Sequence, residues 1–144
     1  MGLDTSHNCW HGAYSSFGTW REDIARVLGW GMEEYQYGPS YVIPGPYQHL
    51  IARPLGTSTL DNEWELQTPL FGVWQDDPDD VIMVLMLHSD CDGIIPTRFC
   101  QPLAERLLGI ANQQQTLSWL QEATEQFATG LLVAASRGED VDFH

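Results

Sequence analysis

Three stretches of the chain place apolar residues at the spacing of an amphipathic helix. Between Trp10 and Leu28 the apolar positions recur at steps of three and four, and Gly29 follows the last of them. This spacing is the helical period, and glycine is a common stop signal. The charged residues of the segment, Arg21 among them, are assigned to the opposite, solvent-facing side. We therefore predict a first helix over residues 10–28.

Two further helices are predicted in the last third of the chain. One begins at Thr97 and ends near Gly109, and the other runs from about Thr116 to Ser136 with Gly138 as its stop. In each segment the apolar residues form one stripe at helical spacing. Residues 141–144 alternate between apolar and polar, which predicts a short edge strand at the end of the chain.

The most apolar run, Val81 to Leu87, contains no polar residue and begins with two β-branched residues. A run of this kind is typical of a strand that is buried on both faces. We expect a strand at about 81–88, at the centre of a small mixed sheet that helices cover on both sides. The fold class is then α+β, with three main helices in a single domain over residues 1–144.

Residues 29–56 have the composition of a loop, with five glycines, four prolines and five aromatic residues between them. A loop of this length is uncommon in a compact domain unless it binds or covers something. Its aromatic side chains either pack on the core as a lid or face a ligand, and the sequence leaves both interpretations open.

The charge of the chain narrows the range of partners. Twenty acidic residues stand against six basic ones, all arginine, and the formal net charge is −14. Such a chain repels phosphate backbones, so we expect no polymeric nucleic acid partner. Three cysteines without disulfide spacing favour a reducing compartment, and no apolar run is long enough to span a bilayer. We expect a cytoplasmic protein whose partner is a protein or a small molecule, not a membrane.

The best candidate for chemistry is the turn from His88 to Gly93, at the end of the predicted central strand. If the chain stays extended there, the side chains of His88, Asp90 and Asp92 point the same way, because strand side chains alternate. One imidazole and two carboxylates suit one divalent ion such as Mn²⁺, Fe²⁺ or Zn²⁺. The alternative is a structural turn in which the two aspartates cap backbone N–H groups and His88 is a satisfied buried residue.

A second cluster, near the N-terminus, could complete the metal shell. On a helix, His7 and His11 share one face and Asp4 lies one turn earlier, while Cys9 points elsewhere. We predict Asp4 and His7 as further ligands of the same ion. A zinc site that combines Cys9 or His11 with residues of the 88–93 turn is chemically feasible but lacks the paired cysteine spacing of known zinc motifs.

The segment from Val81 to Gly93 is similar to the first metal-binding motif of the DHH phosphoesterases, an apolar strand followed by His-x-Asp-x-Asp-Gly. In that family such residues hold Mn²⁺ and activate water for phosphodiester cleavage. The resemblance implies that His88, Asp90 and Asp92 are metal ligands. The chain departs from the family in having no Asp-His-His triplet.

Taken as a whole, the chain also resembles small proteins of bacteria and their phages. The motifs of this resemblance lie in Asp4 to Tyr14, in the His88 to Gly93 turn, and in Gly138 to Phe143, and the resemblance spans most of the chain. The resemblance implies a phage or prophage origin and no particular activity.

Two function classes follow from the sequence. The first is a phage-type binding or accessory protein with a divalent-metal site at the 88–93 turn. The second is a metal-dependent hydrolase of the phosphoesterase type, acting on a small phosphorylated molecule through metal-bound water. The chain has no motif for a nucleotide cofactor and no nucleophile elbow or zincin signature, so no catalytic residue is assigned.

Overall fold

The fold combines four helices with short antiparallel strands in the residues that the structure describes. A computed structural model of the chain describes residues 2–32, 41–42, 78–88, 93–113 and 118–144. The elements are β1 (Gly2–Asp4), β2 (His11–Ala13), α1 (Tyr14–Val27), α2 (Ile82–Met86), β3 (Ile94–Ile95), α3 (Thr97–Ala111), α4 (Ser118–Arg137) and β4 (Val141–Asp142). The α+β class and the three main helices, α1, α3 and α4, are confirmed.

The first helix begins later than the sequence predicts. Strand β2 occupies residues 11–13 and pairs antiparallel with β1, so α1 starts only at Tyr14. Trp10 nevertheless packs on the helix, with its ring 5.3 Å from that of Phe17 and 5.2 Å from that of Trp20. The helical spacing of Trp10 therefore reflects its packing on the core. The backbone conformation of residues 11–13 is determined by their pairing with β1.

The predicted central strand at about 81–88 is wrong, because residues 82–86 form the short helix α2. All five residues of α2 are buried, and so are Leu87 and His88 after it. A segment that is surrounded by core on every side shows no periodicity, and an uninterrupted apolar run is then equally compatible with a helix. The core of the protein is thus built around a buried helix at this position.

The strands form two antiparallel pairs, and residues near the beginning and the end of the described chain connect the two pairs. Strand β1 pairs with β2 and β3 pairs with β4, and every pairing among the described strands is antiparallel, so the predicted mixed sheet is not found there. An antiparallel bridge between Thr5 and Phe143 joins the two pairs. Beside it, Asp4 and His144 exchange both backbone hydrogen bonds, at 2.9 and 2.8 Å. The tail forms a short edge strand as predicted: β4 pairs with β3, and the two residues after it contact Asp4 and Thr5.

Glycine ends α1 and α4, as the sequence predicts. Gly29 and Gly138 have φ angles of +78° and +64°, a region that side chains disfavour. The residue after each glycine donates its N–H to a carbonyl five positions earlier, Trp30 to Ala25 and Glu139 to Ala134. This is the Schellman arrangement, which satisfies the last carbonyls of a helix.

Aromatic side chains from α1, α4 and the tail meet at the centre of the core. Phe17, Trp20, Phe127 and Phe143 are buried, and the ring centroids of their contacting pairs lie 4.9–6.5 Å apart. Trp20 also donates its ring N–H to the Thr124 hydroxyl at 3.0 Å. No helix within the described ranges has the length and apolar character needed to cross a membrane.

Candidate functional site

The end of α2, where the 88–93 turn begins, is fixed by two side chains from outside the helix. The Arg21 guanidinium donates from Nη1 to the carbonyl oxygen of His88 at 2.6 Å and to that of Leu85 at 3.3 Å. The Tyr41 hydroxyl donates to the carbonyl oxygen of Met86 at 2.7 Å. The last carbonyls of a helix lack partners within the helix, and a buried one must find a partner elsewhere. Arg21 and Tyr41 provide these partners.

Arg21 lies inside the protein, so the prediction that it faces solvent on the polar side of α1 is wrong. Its side chain is buried, and the guanidinium carbon lies 4.6 Å from the centre of the Phe17 ring. Arg21 follows Phe17 by four positions and precedes Ile24 by three, which is the spacing of the buried stripe. This spacing was the signal in the sequence that Arg21 is buried. The prediction followed its charge instead, which normally indicates solvent exposure.

Tyr41 shows that part of the loop predicted over residues 29–56 packs on the core. Met32 and Tyr41 form an antiparallel bridge, and the Tyr41 ring lies 5.7 Å from that of Trp30. Burial raises the pKa of Tyr41 to about 12, so its hydroxyl keeps the proton that it donates to Met86. Residues 33–40 and 43–56 of the predicted loop lie outside the described residues.

His88 connects the beginning of the turn to the residue that follows it. Its Nε2 lies 2.9 Å from the carbonyl oxygen of Ile94. A carbonyl only accepts hydrogen bonds, so Nε2 carries the proton. The ring is 2% exposed and packs on Phe143, with the ring centres 4.0 Å apart. His88 thus closes the base of the turn.

The chain re-enters the described structure at Gly93, beside the tail. The Phe143 N–H donates to the Gly93 carbonyl at 2.9 Å, and strand β3 then pairs with β4. We call the four residues that hold the two ends of the turn, Arg21, Tyr41, His88 and Phe143, the turn frame. Residues 89–92, which include the predicted ligands Asp90 and Asp92, lie outside the described residues.

Asp4 is paired with His11, which was not among the predicted ligands of the main site. The two lie directly opposite each other in the β1–β2 pairing, and the Asp4 carboxylate is hydrogen-bonded to Nδ1 of His11. The His11 side chain is 80% exposed, so water reaches the ring. The prediction that Asp4, His7 and His11 lie on one face of a helix is wrong, because residues 2–13 form two strands and the turn between them.

His7, the other predicted N-terminal ligand, has a protein partner at each ring nitrogen. Nδ1 lies 2.8 Å from the Ser6 hydroxyl, and Nε2 lies 3.2 Å from the Glu139 carboxylate. His7 and Asn8 both have positive φ angles, 60° and 55°, in the turn between β1 and β2. His7 therefore links this turn to the tail, while His11 is the histidine that accompanies Asp4.

The two described cysteines are unpaired and belong to the core. Burial raises the pKa of Cys9 to about 12 and that of Cys100 to about 11, so both stay in the thiol form at neutral pH. A zinc ligand must be a thiolate, which burial disfavours here. Gly130 of α4 leaves room for Cys9, since a Cβ at that position would lie 2.4 Å from its sulfur.

The described residues alone do not make a metal site. Within them, no three histidine, cysteine, aspartate or glutamate side chains are grouped so that they could hold an ion. Asp4, His7 and His88 of the predicted ligand set are described, and they have the partners given above. The prediction for Asp90 and Asp92 concerns residues beyond the described ranges. No signal in the sequence showed that Asp4 faces His11, because this depends on the β1–β2 register.

Compared with known proteins, the chain matches no protein-family model, no curated protein and no solved structure.

Proposed function

We propose that the protein is a divalent-metal-binding accessory protein whose ion lies where the 88–93 turn meets the N-terminal hairpin. The ligands in this proposal are the carboxylates of Asp90 and Asp92 from the turn, with Asp4 and His11 from β1 and β2. Carboxylate oxygens together with one imidazole nitrogen suit Mn²⁺, Fe²⁺ and Zn²⁺. A cation also relieves the repulsion between like charges that share a site.

The observation that carries the proposal is the path of backbone contacts from the turn to the hairpin. Gly93, which is covalently bonded to Asp92, accepts a hydrogen bond from Phe143. Phe143 forms a bridge with Thr5, the neighbour of Asp4. Adjacent strands lie about 4.8 Å apart, so two steps place the end of the turn about 10 Å from the strand that carries Asp4.

The three stretches for which we expected a resemblance to phage proteins lie together in the described structure. Asp4 and strand β2 belong to the first stretch, Gly93 to the second, and β4 to the third.

The state of His88 favours binding over hydrolysis. A general base needs an accessible lone pair near the attacking water. His88 is instead buried, donates from Nε2 to Ile94, and packs on Phe143. We therefore propose that the ion fixes the shape of the turn for a protein or small-molecule partner.

The experiment is a titration of the chelator-treated protein with Mn²⁺ and Zn²⁺ by isothermal calorimetry. We expect about one ion per chain, with affinity reduced at least tenfold in Asp92→Asn and in His11→Ala. Glu122→Gln, which removes an exposed carboxylate from α4, is the matched control and should bind as the wild type does. A wild-type protein that takes up neither ion would overturn the proposal.

Hydrolysis is tested with the same preparations. We expect the metal-loaded protein to hydrolyse bis(p-nitrophenyl) phosphate no faster than the free ion does in buffer. Turnover that is present in the wild type and absent in Asp92→Asn would instead establish the hydrolase class.

A further inference from the structure

Three polar side chains form one row across neighbouring segments of the chain. His11 of β2 lies directly opposite Asp4 of β1. On the other side of Asp4, His144 exchanges both backbone hydrogen bonds with it, at 2.9 and 2.8 Å. Residues that are directly opposite each other in an antiparallel pair direct their side chains to the same face. Asp4 therefore lies between two histidines, in the order His11, Asp4, His144.

The face that carries this row is open to water. The side chains of Asp4, His11 and His144 are 51%, 80% and 64% exposed. Leu3 and Phe143, their neighbours along the strands, are buried, because successive side chains of a strand point to opposite faces. An ion in solution can therefore reach every member of the row.

Each imidazole of the row has a carboxylate beside Nδ1. Nδ1 of His11 is hydrogen-bonded to Asp4, and Nδ1 of His144 lies 3.7 Å from a carboxylate oxygen of Asp142. A carboxylate only accepts hydrogen bonds, so Nδ1 of His11 carries the proton and Nε2 is the nitrogen that can bind an ion. Metal-bound histidines commonly donate from the other ring nitrogen to a carboxylate, which orients the ring. The row provides this arrangement at His11.

One ion above Asp4 is within reach of both imidazole rings. Adjacent strands lie about 4.8 Å apart, so each histidine has to extend sideways by only about 5 Å. In the structure the His144 ring lies beside Asp142, and the three side chains of the row are not grouped around one point. An exposed side chain changes rotamer within nanoseconds. His144 can therefore turn towards an ion that other ligands already hold.

We propose that His144 is a further ligand of the ion, and that this second imidazole increases the preference of the site for Zn²⁺ over Mn²⁺. The inference rests on the proposed function above, in which Asp4 and His11 already bind the ion. Imidazole nitrogen suits Zn²⁺, whereas Mn²⁺ is better matched by carboxylate, carbonyl and water oxygens. The His144 ring therefore adds more to the affinity for Zn²⁺ than to that for Mn²⁺.

The first test is isothermal calorimetry on tag-free, chelator-treated protein, with Zn²⁺ and Mn²⁺ as the probes. His144→Ala should weaken Zn²⁺ binding about tenfold or more and Mn²⁺ binding by no more than about threefold. Unchanged Zn²⁺ affinity in this variant, with a wild type that binds the ion, would overturn this inference alone. A wild type that takes up neither ion would overturn the proposed function as well. Equal losses for both ions would refute the effect on ion preference.

A second measurement identifies the ligands in the wild type and needs no substitution. Long-range ¹H–¹⁵N correlation spectra resolve the ring nitrogens of the histidines. On addition of Zn²⁺, the Nε2 signals of His11 and His144 should shift. His7, which has a partner at each ring nitrogen, and the buried His88 are internal controls and should shift far less. A His144 signal that stays in place while that of His11 shifts would contradict the proposal.

Discussion

His88 and His11 are the same residue type in opposite surroundings. His88 is 2% exposed and belongs to the turn frame, whereas the His11 side chain is 80% exposed and paired with a carboxylate. The first contacts a neutral carbonyl and an aromatic ring, and the second contacts a charge that water also reaches. A buried imidazole with a neutral partner stabilises the fold, while an exposed imidazole beside a carboxylate remains available for chemistry.

The same contrast extends to the residues around each histidine. The turn frame uses carbonyl acceptors and aromatic packing, with Arg21 and Tyr41 as donors. Where the two ends of the chain meet, histidines are paired with carboxylates: His7 with Glu139 at 3.2 Å, and His144 with Asp142 at 3.7 Å. Both side chains of the His144–Asp142 pair are exposed, as are those of the His11–Asp4 pair, and exposed pairs contribute little to stability. The frame, which includes Phe143, should therefore hold the fold, and the exposed histidine–carboxylate pairs should tolerate change.

The largest effect is expected at Phe143, the residue of the frame that joins the two regions. Its ring packs on His88 and Phe17, and its backbone connects Gly93 to Thr5. Phe143→Ala should lower the free energy of unfolding by about 3–5 kcal/mol, the usual cost of such a cavity. Urea denaturation measures the change. Leu132→Ala, at an exposed site on α4, is the control, and an equal loss in both variants would refute the distinction.

Arg21→Met tests whether the buried charge supports the turn frame. The variant keeps the apolar stem but removes the donor to the His88 carbonyl. A buried acceptor that loses its partner costs about 1–3 kcal/mol, so we expect a loss of about 2 kcal/mol in the free energy of unfolding. Arg26→Met removes an exposed arginine paired with Asp23 and should cost less than about 1 kcal/mol. If the two variants unfold at the same urea concentration, Arg21 does not support the frame.

Tyr41→Phe has a smaller effect that depends on pH. The variant loses the hydrogen bond to Met86, at a cost of about 1–2 kcal/mol at pH 7. In the unfolded chain tyrosine loses its proton near pH 10, whereas burial raises the pKa of Tyr41 to about 12 in the folded protein. The folded state binds more protons between these values, so wild-type stability is full below about pH 10 and falls as pH rises towards 12.

The difference between wild type and Tyr41→Phe should therefore shrink from pH 8 to pH 10.5 in urea denaturation. Burial also raises the pKa of Cys9 to about 12, but this contribution is common to both proteins and cancels in the difference. A gap that stays constant with pH would show that the Tyr41 hydroxyl is not buried in this way.

The helices were predictable because their stabilising contacts repeat at local spacing. The predicted apolar stripes form helices over residues 97–111 and 118–137, and Gly138 ends the second as predicted. The predicted stop at Gly109 is wrong, because Gly109 lies inside the first of these helices. Helix α2 was not predictable, since burial on every side removes the periodicity by which a helix is recognised. The start of α1 was misplaced because pairing with β1, a contact between separate segments, fixes residues 11–13 as a strand.

The geometry around the candidate site residues was not predictable from the sequence. The sequence identified Asp4 and His88 as candidate ligands. Their hydrogen-bond partners, His11 and Ile94, depend on the register of the β1–β2 pair and on the path of the 88–93 turn, which the sequence does not give. Arg21 was misassigned because a charge normally indicates solvent exposure, whereas here the guanidinium donates to the carbonyl oxygens of Leu85 and His88 and lies against the Phe17 ring. Long-range pairing therefore decides which of the polar residues can act together.

The smallest effect on stability is expected at His11, and it separates the two regions most clearly. His11→Ala removes an exposed imidazole and its pair with Asp4, so the free energy of unfolding should change by less than about 1 kcal/mol. His88→Ala removes a buried ring that packs on Phe143, so it should lower the free energy of unfolding by about 2 kcal/mol or more.

Thermal unfolding with and without Mn²⁺ measures the stability of each variant and its stabilisation by the ion. We expect His11→Ala to unfold near the wild-type temperature without metal and to lose the stabilisation that Mn²⁺ gives the wild type, because an ion stabilises the folded state only as far as it binds. His11→Ala that is as unstable as His88→Ala would mean that the hairpin, too, is part of the structural frame.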